Sequence, residues 1–470
     1  MTLKSWKTRK VLTILFLTVF LPVAVFFANT ETNLFSRAYL NLTGKKADLT
    51  VNLTTSLPFE PLWSSLAQGG EEKGGMLESI IPQVKNLRPR YIRIDHIYDY
   101  YDVVYRNTEG NLDFNWINLD KEIKDILATG AKPFLSLSYM PAAISTGNEV
   151  DIPAKWSDWE LVIQKTIEHV SGVNELSIAD VYYEVWNEPD LFGDYKVGKG
   201  KDYLKLYHYA SYGAQKAQNV HDFKFGGPAT TGLYKAWFDG LLGYVGRNYL
   251  RLDFYSWHKY SKNLKDFEID LISISSWLEA YPKYSGIEFI ISETGFNSEN
   301  DPGYDTEFSA IQTLGLYALV SSYQEKLKIF TFEIKDGPGD KQKWGRWGLL
   351  THEKFGEPIA KPRYKAIEFL NLMEGEGVPV YGHGTWVKAF SVKSDKTMKL
   401  LIVNYDPFDK HYENVPILFV GLPSSRFTLR RRDFLNETIE YPVESASDNW
   451  KTEILMEPNS ASIVEIIPSQ

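Results

Sequence analysis

The chain has 470 residues, 44% hydrophobic and 24% charged, the balance of a folded soluble protein long enough for two or three structural units. A net charge of −9, with no sustained basic stretch beyond the N-terminus, argues against a nucleic-acid partner. With no cysteine, thiol nucleophiles, disulfides and zinc–thiolate sites are excluded.

In chain order, Lys4, Lys7, Arg9 and Lys10 come first and an apolar run from Val11 to Ala28 follows. This pattern reads as a signal peptide or membrane anchor over 1–29, with the basic flank on the cytoplasmic side. Phe26-Phe27-Ala28 is a poor cleavage site, and the run only just spans ~30 Å of hydrocarbon. The expectation is an exported protein, anchored with its body outside the cytoplasm or else secreted.

Over 30–375 short apolar strands alternate with amphipathic helices. The strands expected are Leu49–Thr54, Tyr91–Asp95, Pro133–Ser138, Val181–Trp186, Lys224–Gly227, Leu252–Ser256, Glu288–Ser292 and Ile329–Glu333. Helices are expected at Asn115–Thr129, stopped by Gly130, and at Trp156–Ser171, Asp202–Asn219 and Thr306–Leu327. In the last of these, Phe308, Ile311, Leu314 and Ala318 share a face. Strand–helix units in this number predict an α/β fold, a (β/α)8 barrel. The rival doubly wound sheet needs a G-x-G-x-x-G loop after its first strand, and Leu57–Gly70 offers none. After a helix around Lys361–Met373 the pattern breaks at Gly375, Gly377 and Pro379. Short strands with turn signals then predict a β-sandwich over 376–470, with a hairpin turn at Ser394-Asp395-Lys396-Thr397. Leu34–Leu42 is read as an edge strand added to it.

In such a barrel, reacting groups project from the C-terminal ends of strands. The fourth expected strand runs into Glu184-Val185-Trp186-Asn187-Glu188-Pro189, and the seventh into Ser292-Glu293-Thr294-Gly295. Each tip alone is an ordinary strand exit. Together they set two carboxylates across one barrel mouth, the pairing that glycoside hydrolysis requires. By period two along the fourth strand, Glu184, Trp186 and Glu188 share a side, so Glu184 lies deeper. A buried carboxylate needs a partner, and Arg93 on the second strand is the candidate, poised also to lower the pKa of a nearby nucleophile. Asp95 and His96 end that strand within reach of sugar hydroxyls.

These residues resemble clan A glycoside hydrolases, and within that clan family thirty-nine, the family of β-xylosidases and α-L-iduronidases. Supporting matches run in order through Lys132-Pro133-Phe134 with Met140-Pro141, Gly226-Gly227-Pro228-Ala229, Asp253-Phe254 to His258 and Tyr260, and Gly348-Leu349-Leu350 with Lys361-Pro362. The resemblance implies that Glu188 is the general acid/base and Glu293 the nucleophile of a retaining double displacement. It also implies that Asn187 binds the sugar 2-hydroxyl, and that His258 and Tyr260 orient the nucleophile and contact the sugar. The eighth strand departs from the family. Where a tryptophan is usual the chain has Phe330-Thr331-Phe332-Glu333, and Trp344 or Trp347 is expected to supply the missing stacking face.

The function expected is hydrolysis of an oligosaccharide, polysaccharide or simple glycoside, with no cofactor and no metal. Transfer of the sugar to another sugar, or non-catalytic sugar binding, are the alternatives. A metal-dependent hydrolase is a weaker rival, since no H-E-x-x-H pair occurs among the 8 histidines.

Overall fold

The computed structural model describes residues 44–469 apart from Lys396, with the side chains of Gln324 and Glu325 also outside the description. The N-terminal basic flank and apolar run, and Leu34–Leu42, lie outside the described residues. Among the described residues no helix is long and apolar enough to cross a membrane.

Strand β1 (Leu49–Asn52) is followed by β2 (Ser65–Gln68), helix α1 (Ile81–Asn86) and β3 (Tyr91–Ile94). A hairpin of β4 (Val104–Arg106) and β5 (Leu112–Phe114) then leads to α2 (Ile117–Ala128) and β6 (Lys132–Leu137). Next come α3 (Trp156–Ser171), β7 (Val181–Val185), α4 (Tyr203–Lys216), β8 (Phe223–Thr230) and α5 (Lys235–Asn248). The alternation ends with β9 (Phe254–Tyr260), α6 (Leu264–Leu278), β10 (Glu288–Gly295), α7 (Glu307–Val320), β11 (Leu327–Phe332) and α8 (Pro362–Leu370). The strands close as β10-β11-β2-β3-β6-β7-β8-β9, every neighbour parallel, which is the expected (β/α)8 barrel.

Local chemistry sets the helix ends. The Asp202 side chain accepts from Leu204 N at 3.0 Å to cap α4, and Asn263 accepts from Lys265 N at 3.2 Å to cap α6. Gly130, at φ 92°, ends α2 in the left-handed conformation a side chain would resist.

One strand is reassigned. Leu49–Thr54 is not the first barrel strand: β1 pairs parallel with Glu413–Val420 and antiparallel with Val380–Tyr381, and Ser65–Gln68 takes its barrel place. Leu49 and Val51 bury on the sandwich face, so the sheet at the far end of the chain claims this apolar alternation. β9 also starts later than expected and runs to Tyr260, which puts His258 and Tyr260 within the strand.

The remaining strands are β12 (Glu376–Val378), β13 (Val380–Tyr381), β14 (Val387–Ser394), β15 (Thr397–Asn404), β16 (Glu413–Val420), β17 (Arg426–Asp433), β18 (Thr438–Glu444), β19 (Asn449–Met456) and β20 (Ser460–Pro468). Sheets β13-β1-β16-β19 and β12-β14-β15-β20-β17-β18 face each other over Val51, Leu400, Phe419 and Ile466. Ser394 pairs with Thr397 across the expected hairpin. Arg430, Arg431 and Arg432 lie along β17 and meet Glu440, Asp433 and Glu465.

The sandwich docks on α7, whose residues Ser309 to Val320 are buried all round rather than on one face. A Cβ on Gly315 would sit 3.0 Å from Leu264 and 3.4 Å from Tyr405, so this helix is gripped from both sides. After Val320 the expected helix tightens to a 3-10 turn (Ser321–Lys326) before β11 begins.

Candidate active site

The C-terminal mouth of the barrel opens into a cleft of about 910 Å³. Glu293 stands on β10 directly opposite His258 of β9, just after a register shift that follows Ile291. The irregularity turns a strand residue toward the mouth, as bulges at barrel rims do. Glu188 follows β7 on a turn in which both it (φ 45°) and Trp186 (φ 75°) take left-handed backbone. That turn is tied down: Glu188 N donates to Ala229 O at 2.9 Å, and Leu191 N and Phe192 N donate back to Glu188 O at 3.0 and 2.7 Å. Clustered strain of this kind persists only where surrounding contacts over-determine it.

The period-two reading of this strand holds for Glu184 but not beyond it. The extended backbone ends at Val185, and Trp186 turns outward to pack on Trp159, Tyr139 and Tyr195.

Arg93 organises the floor of the site. Its Nε donates to Glu184 Oε2 at 2.8 Å, one terminal nitrogen to Glu293 Oε1 at 2.8 Å, and the other to Asn187 Oδ1 at 2.7 Å. Arg93 and Glu184 are fully buried, and three acceptors on one planar fork fix the positions of all three partners. Asn187 completes its amide by donating to Tyr139 Oη at 2.9 Å. Tyr260 donates to Glu293 Oε2 at 2.8 Å. His258 Nδ1 lies 2.9 Å from Glu188 Oε1 and 3.5 Å from Glu293 Oε2, between the two carboxylates. One oxygen of each glutamate and a ring nitrogen of His258 all fall within 4.8 Å of one another.

Burial pushes the Glu293 carboxyl up from the usual 4.5, and the charges on His258 and Arg93 pull it partly back; the net displacement is upward. Burial also works against a charged His258, but Glu293 and Glu188 outweigh it and raise the imidazole above 6.5. The same three groups could in principle ligate a cation, but the Arg93 guanidinium already supplies the positive charge beside Glu293.

The expected site residues divide into two layers. Asn187, Glu188, Tyr260, Glu293, Asp95, His96 and Trp347 line the cleft. His258, expected to contact the sugar, is instead fully buried beneath the glutamates, beside Arg93, which is buried there as the expected partner of Glu184; neither lines the cleft. Their strands point them inward one layer down. Trp347 carries Arg346 stacked 3.4 Å over its ring and packs 5.2 Å from Phe332, which itself lines the cleft at the end of β11. Trp344 does not line it.

Sequence reasoning missed Tyr139, Phe332 and the pair of Glu71 with Arg346, all on the cleft wall. The strand-end position of Tyr139 and Phe332 was the available signal. Nothing in sequence spacing links Glu71 to Arg346. On the open side, Leu191 (59% exposed), Phe192 and Tyr234 present an apolar rim beside Glu188.

Comparison with known proteins places this geometry. Residues 76–382 match the family model described as glycosyl hydrolases family 39. A β-xylosidase of Caldicellulosiruptor saccharolyticus is 26% identical over 368 residues, 69% of this chain and 71% of that one. A β-xylosidase of Geobacillus stearothermophilus is 25% identical over 310 residues, 58% of this chain and 60% of that one. The crystal structure of a monomeric β-xylosidase from Caulobacter crescentus CB15 shares the fold with a TM-score of 0.73 at 19% identity, covering 90% of this chain and 100% of that one. The matched span takes in the barrel strands from β3 onward and both strand-end glutamates, and the chain belongs to glycosyl hydrolases family 39, the O-glycosyl hydrolases whose fold it shares.

Proposed function

We propose that the protein is a retaining glycosidase of the β-xylosidase kind, with Glu293 as nucleophile and Glu188 as general acid/base. The observation that carries this reading is the closeness of the two carboxylates: one His258 nitrogen lies 2.9 Å from Glu188 Oε1 and 3.5 Å from Glu293 Oε2, and one oxygen of each glutamate is within 4.8 Å of the other. Retaining enzymes hold the pair ~5–5.5 Å apart, whereas inverting ones leave ~6.5–9.5 Å for a water molecule. The names of the relatives support the xylose preference.

In the first step the Glu293 carboxylate, held by Arg93 and Tyr260, attacks the anomeric carbon. The bond to the leaving oxygen breaks, and Glu188 gives that oxygen its proton. A glycosyl ester on Glu293 results. Water then attacks the same carbon, Glu188 takes its proton, the ester bond breaks, and the sugar leaves with its original configuration. Negative charge passes from Glu293 to Glu188 during the first step, and His258 stays next to both. The rim of Leu191, Phe192 and Tyr234 beside Glu188 is the side on which the leaving group sits. The N-terminal basic flank and apolar run support action outside the cytoplasm on glycosides or oligosaccharides.

The test uses 4-nitrophenyl β-D-xyloside. Glu293→Ala should lower kcat by on the order of 10⁴-fold or more, as loss of a covalent nucleophile does. Glu188→Ala should regain turnover with azide, releasing the β-xylosyl azide. Wild-type turnover in Glu293→Ala contradicts the reading.

A further inference from the structure

Among the described residues, two buried carboxylates in the cleft are not used by these steps, Asp270, which is paired with Lys259, and Asp95. Asp95 ends β3, is 4% exposed, and lines the cleft wall. The reacting pair is partnered: Glu293 accepts from Arg93 and Tyr260, and Glu188 faces His258. Asp95 Oδ1 is buried and no described residue donates to it; Glu184 Oε1 and His258 Nε2 are also unpartnered, but of the described residues with such an atom Asp95 alone lines the cleft. The adjacent His96 is committed elsewhere. Its Nδ1 lies 2.8 Å from Asp99 Oδ2, and its ring stacks on Tyr100 at 4.0 Å and meets Tyr139 edge-on at 4.6 Å. A buried acceptor with no protein donor is costly unless water or a ligand supplies the hydrogen, and in a sugar cleft the hydroxyls of the substrate are donors at hand.

We propose that Asp95 accepts hydrogen bonds from two neighbouring hydroxyls of the sugar being cleaved, and so selects uncharged glycones with an intact vicinal diol. This rests on the reading of Glu293 and Glu188 as the reacting pair. Two adjacent equatorial hydroxyls present two O–H donors at the spacing of the two oxygens of one carboxylate. The charge of the wall points to a neutral sugar. Its basic side chains are already paired, Lys259 with Asp270, Arg346 with Glu71 and His96 with Asp99. A uronic acid in the same place would bring its carboxylate to Asp95 and Glu71 with no free cation among the described lining residues.

The experiment compares kcat/KM for 4-nitrophenyl β-D-xyloside, its 3-deoxy and 4-deoxy analogues and the β-D-glucuronide. Wild-type enzyme, Asp95→Asn and Asp95→Ala are each tested. For the wild type, at least one deoxy analogue should be roughly 10- to 100-fold poorer than the parent, the worth of a hydroxyl bonded to a charged acceptor. The glucuronide should be poorer still. In Asp95→Ala the parent should fall to the level of that deoxy analogue, and the analogue itself should change little. A wild type indifferent to both deoxygenations overturns the proposal, whether or not the variants fold. So does an Asp95→Ala enzyme that keeps the full deoxy penalty, or a glucuronide turned over as fast as the xyloside. If Glu293→Ala stays active, or the xyloside is not cleaved at all, the underlying reading fails and this inference with it.

Discussion

Glu288 and Glu293 occupy opposite ends of the same strand, β10, and their surroundings push them in opposite directions. At the barrel floor, burial raises Glu288, but Lys328 at 3.0 Å, a hydrogen bond from Tyr182 at 2.8 Å and Lys224 at 3.3 Å more than reverse it, leaving the carboxyl below 4.5. At the mouth, Glu293 has Arg93 and His258 but also Glu188 and Asp95 as like-charged neighbours, and it ends above that value. Below the mouth the barrel is packed with Tyr91, Phe134, Tyr182, Phe254 and Phe330. The floor places a carboxylate among lysines that water still reaches, where its charge is easily kept. The mouth gathers carboxylates in a buried place and holds them with one arginine, so that small chemical changes move protons there.

Removing that arginine should break the contrast most severely. Arg93→Met leaves Glu184 buried without its cation, a loss of about 3–5 kcal/mol. It should also abolish measurable turnover by releasing Glu293 and Asn187 together. Urea unfolding and xyloside kinetics check the two effects separately.

The pH profile of kcat/KM reads the mouth directly. Because Glu293 is displaced upward, its protonation should cut activity at a pH above 4.5, giving an acid limb to the right of an ordinary glutamate. An acid limb at or below 4.5 would show that Arg93 and His258 outweigh burial.

Glu288→Gln should give the smallest effect, and one confined to stability. A carboxyl held below its unfolded value contributes stability above pH 4.5 that fades as pH falls through the folded value. The variant should therefore lose about 1 kcal/mol at pH 7, seen in a chain of this size as a Tm roughly 1 °C lower. The deficit should shrink below pH 4.5, and the acid limb of activity should stay where it is. A shifted activity profile would mean that floor and mouth are coupled through β10.

Much of this arrangement was legible in the sequence, because barrel geometry assigns strand tips to the mouth and both glutamates sit at tips. The pairing of Arg93 with Glu184 followed from the need of any buried carboxylate for a cation. Pairing across the fold was the part that could not be read. Leu49–Asn52 has the alternation of a barrel strand, and only its fit against β16 decides that it belongs to the sandwich. Trp186 was misplaced because periodicity stops where the backbone leaves the strand at Val185. His258 was expected to contact the sugar and lies one layer below the cleft, a matter of depth that residue type does not encode. The bond between Glu71 and Arg346, and the lack of a donor to Asp95 Oδ1, are facts of three-dimensional packing with no trace in spacing.

The claim that the two glutamates work as a retaining pair is tested most directly by following β-xyloside cleavage with proton NMR. The β-anomer of xylose should appear first and mutarotate to the α-anomer only afterwards. Initial release of the α-anomer would mean inversion, and would contradict the assignment of Glu293 as a nucleophile.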